Sequence, residues 1–136
     1  MKSFENLFIF CECIESIEFQ KFYRNNMTNM KAMFFGCSSL KELNLSNFNT
    51  NKVTDMSFIF NGCSSLKELN LSNFNVSNVN DMTEMFRECS SLKELNISNF
   101  NTNNIANISY MFYRCSEKFK DKIKNKYKNI GKEAFY

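Results

Sequence analysis

The residues in this sequence most able to do chemistry are its six cysteines, and four of them, Cys37, Cys63, Cys89 and Cys115, stand 26 residues apart. A zinc site draws on close pairs such as C-x-x-C. A 26-residue spacing instead gives thiols in single file, and Cys11-Glu12-Cys13 is a weak pair. A nucleophilic thiol needs an adjacent base, usually histidine, and the sequence has no histidine. A disulfide between neighbouring units needs Cα atoms about 4.4–6.8 Å apart, and a helix at this position would space the units more widely. The expectation is therefore a column of buried, reduced cysteines that act as small fillers. With 3 glycines there is no phosphate-cradling glycine loop. The acidic residues recur in register, as scaffold residues do. No catalytic residue, metal site or cofactor is expected, and catalysis gives way to binding.

The spacing that fails as chemistry succeeds as architecture. Aligned on the cysteines, residues 37–62, 63–88 and 89–114 are near-identical, each opening Cys-Ser-Ser-Leu-Lys-Glu-Leu-Asn. A weaker copy lies upstream, where Cys11, Ile14, Ile17, Phe19 and Phe22 precede Cys37, Leu40, Leu43, Leu45 and Phe48 by one period. Self-similarity at such a period marks a stacked-repeat protein. The first half of each unit alternates, with Leu43 and Leu45 set between Glu42, Asn44 and Ser46, which reads as a short half-buried strand. The second half sets Met56, Ile59, Phe60 and Cys63 at i, i+3, i+4 and i+7, one face of a two-turn helix. Asn29, Asp55, Asp81 and Asn107 stand where its N-cap would be. Gly36 and Gly62 stand where it would stop, although Glu88 and Arg114 replace glycine in the later units. The predicted fold is an α/β repeat: a leucine-rich-repeat solenoid of about four to five units, each with one short parallel strand and one short helix, closed by a C-terminal capping helix. Residues 1–36 form a degenerate repeat and fragment, 37–115 the three near-identical repeats, and 116–136 the basic cap.

The consensus L-K-E-L-N-L-S-N-F-N-(T/V)-x-x-V-x-D-M-x-x-M-F-x-x-C-S-S-L resembles the BspA-type leucine-rich repeats, a 26-residue repeat of bacterial surface proteins also found in anaerobic protists. The likeness is good over residues 27–116 and loose over 1–26. It implies a curved solenoid, commonly displayed at the surface, used for adhesion or protein binding. One position departs from the general leucine-rich pattern. Phe48, Phe74 and Phe100 replace the asparagine that usually forms an internal ladder, which leaves Asn47, Asn49 and their equivalents to satisfy the turn backbone.

On the strand face, Glu42, Glu68 and Glu94 form one column, Asn44, Asn70 and Asn96 a second, and Ser46, Ser72 and Ser98 a third. These nine are the candidate ligand-binding residues, because a solenoid presents an extended concave surface. Uniform columns offer little specific reading of a folded partner and better suit a repetitive ligand such as a polymer or a lattice; the expected partner is a protein or such a repetitive surface ligand. Lys41, Lys67 and Lys93 are placed to offset the like charges of the glutamate column. The sequons at Asn26, Asn44, Asn70, Asn75, Asn96 and Asn107 follow from the asparagine-rich composition. Net charge is +3, but it is uneven: residues 116–136 carry +4 and the rest −1. In the tail, Phe119, Ile123, Tyr127 and Ile130 make an apolar stripe among lysines. This reads first as a cap over the last repeat, so no nucleic-acid partner is expected. A basic amphipathic helix on anionic membrane or nucleic acid is the alternative, and a purely structural surface-display protein is another. No apolar run approaches the ~18 residues of a membrane helix. The opening MKSFENLFIFC is a poor signal peptide; the family resemblance favours the cell surface, while this start leaves an intracellular location open. The first fragment exposes an apolar edge, which points to self-association, a preceding domain or truncation.

Overall fold

The computed structural model describes residues 2–136. Short strands recur once per period: β1 (Ser16–Glu18), β2 (Glu42–Asn44), β3 (Glu68–Asn70) and β4 (Glu94–Asn96). They are parallel and in the register that the repeat dictates, Ser16 opposite Glu42 and Glu68 opposite Glu94. Each of the last three strands stops after three residues for a local reason. The Asn44 Oδ1 accepts the Ser46 N–H at 3.0 Å, an Asx turn repeated at Asn70 with Ser72 and at Asn96 with Ser98. β1 pairs with β2 and β3 with β4, but among the described residues no ladder joins β2 to β3.

The helix expected in each unit is absent, and an extended ribbon of turns takes its place. Asn29, Asp55, Asp81 and Asn107 do accept an N–H from two residues on, as N-caps would, at 2.8–3.0 Å. They also form parallel bridges to one another, starting from Ser3. Beyond them, alternate residues point their N–H groups to the next unit: Met30 to Asp55, Ala32 to Ser57, Phe34 to Ile59 and Gly36 to Asn61, at 2.8–3.0 Å. The residues between close four-residue turns within the ribbon, as Met33 does to Met30. Left-handed residues recur every fourth position, Ala32 (φ 52°) and Gly36 (72°), then Phe58 (60°) and Gly62 (77°). Two helical turns would leave most of their terminal N–H and C=O groups unpaired and are marginal in length. The ribbon gives those groups partners in the neighbouring unit. The burial was read correctly, since Met56, Ile59, Phe60 and Cys63 are all fully buried. The backbone that buries them is different. Gly36 and Gly62 do mark a left-handed turn, and Glu88 (61°) and Arg114 (60°) adopt it without glycine.

Stacking fills the interior with identical side chains. Phe8, Phe34, Phe60, Phe86 and Phe112 form a parallel ladder with centroids 5.5–5.7 Å apart and planes within 9°. The column at Asn47, Asn73 and Asn99 supplies the missing asparagine ladder one residue early. Asn73 Nδ2 donates to the carbonyls of Leu45, Ser46 and Phe48 in the preceding unit, and Asn99 to that of Ser72.

The tail closes the far end. Helix α1 (Glu117–Lys126) is capped by Ser116 and buries Phe119 and Ile123, while most of its lysines face water. It stops at Lys126 instead of running through the tail, because the last ribbon needs acceptors. Residues 132–135 turn back so that the carbonyls of Glu133 and Ala134 take the N–H groups of Tyr110 and Phe112. Phe135 then adds a final ring to the ladder, 5.4 Å from Phe112.

Candidate functional site

The strands line a groove of about 790 Å³ on the face opposite the ribbons. Eight of the nine candidate residues border it: Glu42, Asn44, Ser46, Glu68, Asn70, Ser72, Glu94 and Asn96. Ser98 does not. The floor also includes Leu43, Leu69 and Leu95, of which Leu69 and Leu95 are buried. The asparagine column is half committed: each Oδ1 holds its Asx turn, which leaves the amide N–H₂ for a visitor.

Residues 2–128 match the family described as "Mycoplasma protein of unknown function, DUF285". The chain belongs to this family. Its repeat character agrees with the 26-residue strand spacing seen here. No curated protein and no solved structure gives a match to the chain.

In this DUF285 chain the charges of the groove are arranged unevenly. Glu94 is held by the Lys122 ammonium of α1, which also donates to the Lys93 carbonyl at 3.3 Å. That hydrogen bond and charge keep the Glu94 carboxyl below its usual range. The offset expected from the adjacent lysines takes another route, for Lys41 pairs with Glu15 at 3.0 Å. Glu18, Glu42 and Glu68 thus border the groove as its acids without an ion pair among the described residues. Four lining residues, from two segments outside the three near-identical repeats, lie outside the nine candidates. Ser16, Ile17 and Glu18 come from the degenerate first unit, although their place one period before Glu42 was a usable signal. Lys126 reaches the groove from α1, and no local pattern announces it.

The thiols of the DUF285 chain are free, but the reason differs from the one anticipated. Without a helix the units lie close on this side, as the 5.5–5.7 Å ring spacing shows. Each buried Sγ instead donates to a carbonyl of the preceding unit: Cys37 to Phe8, Cys63 to Phe34, Cys89 to Phe60 and Cys115 to Phe86, at 3.1–3.2 Å. Burial pushes the Cys37 thiol up to about 11 and Cys115 up to about 12. Cys63 and Cys89 are raised too, by burial first and by their neighbouring thiols second. A thiol held protonated is a poor nucleophile and a poor metal ligand. Among the described residues, no three His, Cys, Asp or Glu side chains come together as metal ligands would.

Proposed function

We propose that the chain is a BspA-type leucine-rich-repeat solenoid that works as a non-catalytic binding module, with the strand-side groove holding a protein segment or a repetitive surface ligand. One observation carries the reading: equivalent polar residues from successive units border one continuous groove, the arrangement in which solenoids meet extended partners. The closed thiols and the absence of histidine from the sequence weigh against catalysis. The apolar stripe of α1 is used on the repeats, which weighs against the tail as a membrane anchor. Adhesion at a cell surface is the setting that the sequence resemblance suggests.

The test is capture on arrays of extended peptides and polysaccharides, comparing the chain with its Glu42→Lys/Glu68→Lys variant. These two positions are exposed and leave the Glu94–Lys122 contact intact, so thermal unfolding should be unchanged. Loss of capture by the variant supports the groove. Equal capture by both proteins refutes it.

A further inference from the structure

The ribbon at residues 3–10 is paired along one edge only among the described residues. Its N–H groups at Phe4, Asn6, Phe8 and Phe10 reach the carbonyls of Asn29, Lys31, Met33 and Phe35 at 2.7–3.0 Å. The next ribbon donates onward in the same way, from Met30, Ala32, Phe34 and Gly36. In this stretch every ribbon therefore sends donors forward and acceptors backward. The first ribbon shares the geometry, with Asn6 (φ 59°) and Phe10 (53°) left-handed. Its outer edge consequently offers the carbonyl oxygens of Ser3, Glu5, Leu7 and Ile9, which have no partner among the described residues. Leu7, Ile9 and Phe10 are exposed in the same ribbon, at 46%, 40% and 60%. Cys11 is the first member of the thiol column. It is half-buried and lacks the preceding phenylalanine carbonyl that each later thiol bonds.

An edge made only of acceptors is selective. An ordinary β-strand presents N–H and C=O alternately along one edge, so it would set carbonyl against carbonyl here. The same edge of a second copy offers acceptors alone. At that copy's other end, the Tyr110 and Phe112 donors are already bonded to Glu133 and Ala134. We propose that this edge docks the donor side of a turn ribbon of the same repeat type, an (N/D)-(M/I)-x-x-M-F-x-x-C segment. Its main-chain N–H groups meet the four carbonyls. Its phenylalanine continues the ring ladder beyond Phe8, and that phenylalanine's carbonyl receives the Cys11 thiol. The repeat-to-repeat interface already present in the molecule is the template for this contact.

The experiment mixes the full chain with a synthetic peptide of residues 79–90 carrying Cys89→Ser, and with a strand peptide of residues 65–72 as comparison. The readouts are the methyl NMR shifts of Leu7 and Ile9 and the alkylation rate of Cys11, with exposed Cys13 as internal reference. A free peptide must be ordered on binding, so millimolar dissociation constants are expected. The ribbon peptide should shift both methyls and slow Cys11 relative to Cys13, while the strand peptide does neither. Leu7→Lys/Ile9→Lys should weaken binding about ten-fold. Ile9→Gln alone serves as a milder second variant and should weaken it in the same direction. The proposal is overturned if millimolar ribbon peptide leaves Cys11 unprotected, if the strand peptide protects equally, or if neither variant matters.

Discussion

Replacing Phe60 by leucine tests whether the ring ladder stabilises the fold as a stack or only as buried oil. Phe60 is fully buried between Phe34 at 5.7 Å and Phe86 at 5.6 Å, its ring nearly parallel to both. Leucine keeps most of the apolar character but loses two aromatic contacts, each worth about 0.5–1.5 kcal/mol beyond area. With a shape mismatch of up to about 1.5 kcal/mol, the expected cost is about 1–4 kcal/mol. Phe8 is half-buried, with one stacked neighbour, Phe34 at 5.5 Å, and one edge-on neighbour, Phe19 at 6.1 Å, so Phe8→Leu loses one stacked contact instead of two and less buried area and should cost less. Against a total stability of about 5–15 kcal/mol, both are measurable by urea unfolding followed by far-UV circular dichroism. A defect in mid-array also separates units that contact only their neighbours, so the Phe60→Leu transition should broaden. Equal costs at the two positions, or a Phe60→Leu cost under about 0.5 kcal/mol, would refute stacking as the source.

Gly62→Ala should destabilise by about 1–2 kcal/mol, against the usual gain from glycine removal, because φ is 77° and an added Cβ would meet the Gly36 Cα at 3.3 Å; urea midpoints decide, and a gain would sink the ribbon geometry. Because burial raises the folded thiols above the ordinary value of 9.0, the unfolded chain releases their protons first. Their contribution to stability should be complete below about pH 9 and fall as pH rises through 11 and 12, with Cys37→Ala/Cys115→Ala flattening the alkaline loss in thermal scans. Glu94 runs the other way: its lowered carboxyl gives stability present above its unfolded value of 4.5 and lost as pH falls. Lys122→Gln should erase that acid dependence, and an unchanged acid limb would discount the ion pair.

Much of this molecule is legible in its letters, for reasons that can be named. The period, the strand register and the buried positions follow from residue identity 26 places apart, because each unit sees nearly the same neighbours. The ribbon was misread because i, i+3, i+4, i+7 burial fits a two-turn helix and also a chain of turns. What distinguishes them is chemical. Asp55 and Asp81 are followed two places on by Ser57 and Thr83, whose N–H and hydroxyl both bond the same carboxylate oxygen. The segment from Ser57 to Phe60 is also rich in residues with weak helix propensity. The groove columns were readable from alternation. The Lys122 contact and the missing β2–β3 ladder were not, since both depend on where distant segments settle.

That missing ladder gives the molecule unlike sides. Along the ribbons, peptide groups are coupled in unbroken files from Phe4 to Met82 and beyond, and the rings stack beneath them. Along the strands, ladder hydrogen bonds join the units only in pairs, and the Asn73 amide on the Leu45, Ser46 and Phe48 carbonyls is what ties the β2 unit to the β3 unit. The protein therefore resembles a book bound at the spine, with a crease in its strand-side ladder between Asn44 and Glu68. Bending about that crease changes the gap between the Glu42 and Glu68 side chains while leaving the ribbon edge at constant length, so anything lying across the middle of the groove will feel the curvature of the whole array.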